Sequence, residues 1–383
     1  MKGDKDMKSG KKVLAGILAF IIIVGGAVAA GKYFGTDTPK DTIKIRGAVG
    51  GGKENFLADK EVQKILLEKY NIEVIHDAWS NGRLIIDPLE YEENGVKKQY
   101  DFVFFSDQRY YEYYQLPAKE GEAPRIPRKK NMIALNTPIV IYSWDTVVDV
   151  LIAENIVTKT GDVYYITDMN KLLDYIDSGK KWSDIGLPQI YGNVNIASTD
   201  PVTSSPGATY YGLLAGVMNE GEITSENLTK VLPKLQNFYV KSGFMNNTPA
   251  DLFDLYMRTG MGAKPMIVDY EKSIIDFANN NPAGYEQVKD RIRILFPAPT
   301  IWNSHCIISF SDEGSVFIDA LNDPEIQKIA FNKYGFRTGL SGGSYNVSEI
   351  GISGIPQEIT SVLPSLRMDE YNMIINALKN AAK

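Results

Sequence analysis

Along most of the chain apolar residues recur in two alternating periods, and these set the first expectation about the fold. Thr42 to Ala48 (TIKIRGA) alternates apolar and polar positions, which predicts a strand ending at Gly50-Gly51-Gly52. Asn55 to Tyr70 has apolar residues at helical spacing, and Ile72 to His76 reads as a second strand. Tyr100 to Phe105 (YDFVFF) is a buried strand that stops at Ser106-Asp107. Ile139 to Tyr142 (IVIY) is another, with a helix over Thr146 to Asn155. The scheme then repeats. Helices are expected over Met169 to Ser178, Gly207 to Met218, Asn227 to Tyr239, Pro249 to Thr259 and Ser273 to Ala278, with strands over Val194 to Ala197 and Ala263 to Val268. Ile292 to Phe296 (IRILF) runs into Pro297-Ala298-Pro299, and a helical pair, Ser315 to Leu321 and Pro324 to Tyr334, follows. Strands alternating with helices predict an α/β fold with parallel sheets.

The first 34 residues follow neither period. Five lysines (Lys2, Lys5, Lys8, Lys11, Lys12) precede an uncharged apolar run from Val13 to Gly31, which Lys32 ends. As a helix, roughly 19 residues span about 28 Å, close to the hydrocarbon thickness of a bilayer. The lysines place that end in the cytoplasm and everything after Lys32 outside. Ala27-Val28-Ala29 also fits the small-residue rule for signal-peptide cleavage, so an anchor and a cleaved signal both stay open, and both export the protein. Gly35 to Asp41 is a polar linker. Without the six lysines and two aspartates of the leader, 35 basic and 45 acidic residues remain, a net charge of -10. An acidic domain of that kind has no general attraction to nucleic acid, and no nucleic-acid partner is expected.

With 383 residues the chain exceeds what one core serves efficiently, so two core-forming units are expected. Cys306 is the single cysteine, which rules out an intramolecular disulfide and, so deep in the chain, lipid attachment after the apolar run. The two histidines, His76 and His305, form no metal-binding spacing, and no cofactor or metal is implied. There is no G-x-S-x-G nucleophile elbow. Gly50-Gly51-Gly52-Lys53 loosely resembles a phosphate loop, but it lacks the leading glycine and has Glu54 where a hydroxyl would hold magnesium. No catalytic residue stands out, and the chain reads as a binding protein rather than an enzyme.

What remains is a set of small polar loops at strand ends, where open α/β sheets hold ligands. They are Gly50 to Asn55, Ser106-Asp107 and Thr203-Ser204-Ser205, the last just before a helix whose free N–H groups suit an anion. Ordinary helix capping explains Ser204 or Ser205 equally well. Tyr270-Glu271 follows a strand, and Glu271 is also a normal first-turn acid. Trp79, Trp144 and Trp302 follow strands, where each either clasps a ligand or packs in the core. The core is favoured for Trp144, and His305 and Cys306 read as structural.

The order of these segments resembles the type II periplasmic binding proteins of ABC importers, particularly the extracellular solute-binding families related to molybdate, sulfate and iron binders. The similarity covers about residues 42 to 340. It rests on Ala197 to Ala208 (ASTDPVTSSPGA), Ala263 to Glu271 (AKPMIVDYE), Ile294 to Asn303 (ILFPAPTIWN) and Phe317 to Arg337, which closes on Gly335-Phe336-Arg337. The resemblance implies two lobes that close on a ligand: residues 42–137 plus 298–383 as the first, and 138–297 as the second. Pro138 to Ser143 and Arg293 to Pro297 would be the hinge strands. It places the ligand on Gly51, Gly52, Lys53, Trp79, Ser80, Ser106, Asp107, Thr203, Ser204, Ser205 and Tyr270, beside Glu271. Asp107 would repel an oxyanion, which points to a zwitterionic, sugar-like or metal-bearing ligand. The implied role is capture of a small polar or anionic molecule or ion for an ABC permease. The alternative is a ligand-sensing or partner-binding cell-surface protein on the same fold. A transferase of porphobilinogen-deaminase type would need a catalytic cysteine or lysine in the cleft.

Overall fold

The strand expected from Thr42 runs over Ile43–Gly50 (β1) in the computed structural model, which describes residues 42–86, 89–115, 126–221, 223–243, 245–338 and 343–381. The single helix expected over Asn55 to Tyr70 is two, Glu54–Leu57 (α1) and Lys60–Tyr70 (α2). Asp59 causes the break: its carboxylate accepts from the Glu61 and Val62 N–H groups and restarts the helix. Ile72–Trp79 (β2) lies parallel to β1. Asn81–Ile86 (α3), the hairpin Glu90–Glu93 (β3) and Val96–Gln99 (β4), Phe102–Phe104 (β5) and Gln108–Gln115 (α4) follow. The next strand, Lys130–Trp144 (β6), is far longer than its legible core IVIY.

The second stretch begins with Asp145–Ala153 (α5), Val157–Thr160 (β7), Val163–Ile166 (β8) and Met169–Asp177 (α6). Then come Ser205–Met218 (α7), Ser225–Ser242 (α8), Pro249–Thr259 (α9), Met266–Tyr270 (β9), Lys272–Asn280 (α10) and Pro282–Val288 (α11). Ile292–Pro297 (β10) and Thr300–Ser309 (β11) lead to Asp312–Ala320 (α12) and Pro324–Tyr334 (α13). The chain closes with Arg337–Thr338 (β12), Val362–Leu363 (β13) and Met368–Ala381 (α14). Val194 to Ala197 is no strand; only Ala197 bridges to Ile267.

The main sheet runs β2-β1-β5-β11-β6-β10-β8-β7, with β9 and β12 also on β6 and β13 on β11. It is mixed rather than parallel. β1 is parallel to β2 and β5, but β11 runs antiparallel to β5 and β6, and β6 antiparallel to β9 and β10. The reason is β6 itself. Its first part pairs with β11 from Lys130 to Pro138, and its last part pairs with β9 and β10 from Ile139 to Trp144. One strand thus serves two half-sheets, each with its own apolar core. The first core gathers Ile45, Val49, Phe102, Phe104, Phe317 and Phe336; the second surrounds Ile139–Tyr142 and α7. Trp144 is buried in the second, its indole N–H donating to the Lys264 carbonyl at 3.0 Å.

The end of the stretch grouped with the first unit, residues 298–383, packs on the second core. Ile352, Leu363, Leu366, Ile374 and Leu378 all join the second core. Two glycines one helical turn apart on α7 explain the docking. A Cβ at Gly212 would come within 2.8 Å of the Leu366 side chain, and one at Gly216 within 2.5 Å of Leu363. Among the described residues no helix is long and apolar enough to cross a membrane. The expected anchor or signal at Val13 to Gly31 lies outside them.

Candidate functional site

The loops after β1 and β5 and the N-terminus of α7 are where the sequence places the site, and the structure divides their residues into internal ties and cleft-facing groups. Gly52 takes a positive φ of 87° and turns the chain so that Lys53 points inward. The Lys53 amine is fully buried. It donates to the Gly50 carbonyl at 2.8 Å and to Ser106 Oγ at 3.0 Å, and meets His305 Nδ1 at 3.2 Å. The other ring nitrogen, Nε2, faces the Asn303 amide at 3.2 Å. A neutral imidazole has one donor and one acceptor nitrogen. Which nitrogen donates in these two contacts follows the tautomer of the ring, and burial brings Lys53 down to about 7. Burial also holds His305 well below its ordinary value, so the imidazole is neutral in the fold. Lys53 thus ties β1, β5 and β11 together from inside, with His305 buried beside it.

Glu271 is tied in the same way. Its carboxylate is wholly buried and grips Arg337 at 2.6 and 2.7 Å, while Arg337 also donates to the Pro356 and Gln357 carbonyls. Both faces of that carboxylate are used, which fastens the end of β9 to the chain after β12. Ser80 accepts from the Arg83 N–H at 3.3 Å and starts α3. The Arg83 guanidinium covers the Trp79 ring at 3.8 Å, and Trp79 meets Tyr100 edge-on. Gly51 offers its carbonyl to Ser106 Oγ at 2.8 Å.

Asp107 is buried, and its expected conflict with an anion disappears. Arg109, two residues on, binds its carboxylate through Nε at 2.8 and 3.0 Å and through Nη2, so the pair is neutral. Nη1 of Arg109 makes no hydrogen bond among the described residues, and its guanidinium stacks on the Tyr371 ring at 3.9 Å. Asp107 and Arg109 line a small cavity with Thr209, Asn303, Ser304, Ser365 and Leu366. Tyr270 lies beside this cavity, close to Thr209, Asp107 and Arg109, its phenol pushed well up by burial and its hydroxyl without a hydrogen-bond partner. Ser204 is the N-cap residue of α7 by its backbone, yet its hydroxyl caps nothing and is also buried without a partner. Capping therefore does not explain Ser204. Thr203 is exposed, and Ser205 opens the helix.

Arg109, Thr209, Asn303 and Ser304 were not singled out by sequence reasoning. Arg109 had one signal, its position two residues after Asp107 at a helix start. The cavity itself holds about 20 Å³, enough for a water and little more. Ser365 and Leu366 of the C-terminal segment form part of its wall, and Tyr371 lies against Arg109 beside it. Among the described residues no group of three His, Cys, Asp or Glu could hold a metal ion.

No family model matches the chain, and no curated protein matches its sequence. Solved structures do match its fold. The Trichodesmium IdiA/FutA protein, solved with iron and citrate, superposes with a TM-score of 0.55 at 11% identity, over 88% of this chain and 99% of that one. The apo ferric ion-binding protein A of Pasteurella haemolytica gives 0.54 at 11% identity, over 88% and 98%. An ABC transporter structure from Clostridium perfringens gives 0.52 at 13% identity, over 88% and 98%.

Proposed function

We propose that this chain, which has the fold of extracellular solute-binding proteins of ABC transporters, captures a small polar or anionic solute between its two half-sheets and presents it for import. The observation that carries the reading is the buried, unpartnered hydroxyl of Ser204, together with the buried Tyr270 hydroxyl whose neighbour is Thr209 of the cavity wall. A buried hydroxyl without a partner costs on the order of 1–3 kcal/mol, and a ligand oxygen removes that cost. Ser204 adds the free N–H groups at the start of a 14-residue helix. Arg109 Nη1, Thr209 and Asn303 supply further donors nearby. These donors suit an oxygen-rich anion, and the neutralised Asp107 no longer opposes one. The citrate of the matched structure with iron and citrate falls within this range of cargo. In this reading the half-sheets act as two lobes that hinge on β6 and on the β10–β11 connection, and residues 13–31 tether or export the domain.

One observation favours the second reading, a sensing or partner-binding role: Ser365 and Leu366 of the chain's own C-terminal segment line the small cavity beside Asp107 and Arg109. A thermal-shift screen against oxyanions, citrate and its iron complex, amino acids, sugars and polyamines tests both. Ligand at 100 times its Kd adds about 2.7 kcal/mol, a visible shift. The import reading expects a hit that Ser204→Ala and Tyr270→Phe weaken without lowering the melting temperature of the free protein. Silence across the panel, in the wild type and in a variant with the C-terminal segment loosened, would reject it in favour of a protein partner.

A further inference from the structure

A second cavity lies away from the cleft, on the half-sheet that carries β8 and β10. Its volume is about 210 Å³, more than the roughly 150 Å³ that accommodates a benzene ring in an engineered protein cavity. Tyr164 on β8 and Tyr285 on α11 line it, together with buried Ile274 and Ile352. Lys159 and Arg293 place their charges over the Tyr164 ring, 5.2 and 5.8 Å from its centre. Neither makes an ion pair with a carboxylate among the described residues; Arg293 donates only to the Asp290 and Ile292 carbonyls. The third lining cation, Lys289, is already paired with Glu286 at 2.7 Å. Of two lining acids, Asp162 makes no ion pair among the described residues, while Asp290 acts on Lys289 beside it. One ring-sized cavity, mostly polar but with Tyr164, Tyr285 and two isoleucines in its wall, thus carries two cations and one carboxylate without an ion pair, and Asp290 beside Lys289.

We infer that this cavity is a second ligand site for a ring-bearing zwitterion of the aromatic α-amino acid class. The ring would lie among Tyr164, Tyr285 and the isoleucines. Lys159 and Arg293 would take the carboxylate, and Asp162 with Asp290 the ammonium group. A surface with a single unmatched sign would select an anion or a cation; both signs around one ring-sized cavity select a molecule that carries both. The site shares no lining residue with the cleft.

Calorimetric titration of the full chain with L-phenylalanine tests the assignment, with 3-phenylpropionate and phenethylamine as the two half-ligands. Saturable binding of one phenylalanine per chain is expected, with each half-ligand weaker by about tenfold. Lys159 and Asp162 are exposed, so Lys159→Gln and Asp162→Asn leave the fold intact and should each weaken phenylalanine several-fold. Arg293→Gln should weaken it most, and Thr209→Val in the cleft should leave it unchanged. The inference is overturned by an absence of saturable binding or by a half-ligand that binds as tightly as phenylalanine. It is equally overturned by binding that Thr209→Val removes while the Lys159, Asp162 and Arg293 variants retain it.

Discussion

Burying the Lys53 amine ties the stability of the protein to pH near neutrality. In the unfolded chain the amine keeps its ordinary value of 10.5, and in the fold it falls to about 7. Between those values the unfolded chain holds the extra proton, so stability rises as pH climbs from 7, by at most about 1.4 kcal/mol per pH unit. Lys53→Met should flatten that rise, and urea midpoints at pH 7 and pH 9 would show it; an unchanged slope would assign the effect to another group. Glu271 makes the complementary case. Glu271→Gln leaves the Arg337 guanidinium buried without its counter-charge and should cost about 3–5 kcal/mol in urea unfolding. Adding Arg337→Met should recover part of the loss. A single mutant as stable as the wild type would contradict this account of the pair. These roles also mark how far the site could be read from residues alone. Ser204, Tyr270 and Asp107 stand at legible strand and helix ends. That Lys53 turns inward depends on a positive φ at Gly52 and on a histidine 252 positions away. Arg109 is found only once α4 folds back its guanidinium onto Asp107.

Among the elements, the C-terminal segment has the most to lose from single changes. Leu363 and Leu366 enter the slot left by Gly216 and Gly212, and Tyr371 lies under Arg109. Leu366→Ala with Tyr371→Ala should speed hydrogen exchange across β13 and α14 while leaving β1 and β5 protected; uniform loss of protection would mean that the segment does not open by itself. Glu112 on α4 gives this contact a pH response. Burial, Asp107 and Glu370 raise its carboxyl to about 7, with Asp369 adding to the rise and Arg367 opposing it. A carboxyl raised in the fold contributes stability at acidic pH and loses it as pH rises through 7. Exchange in α14 should therefore quicken from pH 6 to pH 8, after correction for intrinsic rates, and Glu112→Gln should remove the change. The elements with strong periods were legible, among them β1, α2, α13 and β10. Others had no such signal. Helix α4 (QRYYEYYQ) has no apolar stripe, and the first half of β6 is amphipathic because it pairs where one face meets solvent. Val194 to Ala197 reads as a strand yet finds no partner strand beyond a single bridge.

For the whole molecule, the mixed sheet matters because β6 and β11 pass between the two cores and fix both half-sheets to common strands. Any opening motion must bend these two connections, and any solute larger than a water must first displace Ser365, Leu366 and Tyr371. If the segment is seated most of the time, measured affinity is the intrinsic affinity reduced by the fraction of chains in which it has left. The double variant Leu366→Ala, Tyr371→Ala should then bind a cleft ligand more tightly than the wild type, with the gain in the association constant matching the gain in open fraction seen by exchange. Tighter binding without added opening, or opening without tighter binding, would separate the segment from the site. On the proposed reading, the same seating would make the segment a competitor that travels with its receptor. Because it is covalently attached, its local concentration is set by chain length, in the millimolar range for short flexible connections, and does not fall when the protein is diluted. If the cleft takes a solute as proposed, this sets a built-in threshold: external solute would fill the cleft only when its concentration, weighted by affinity, exceeds that of the tethered occupant, however few copies of the protein are present.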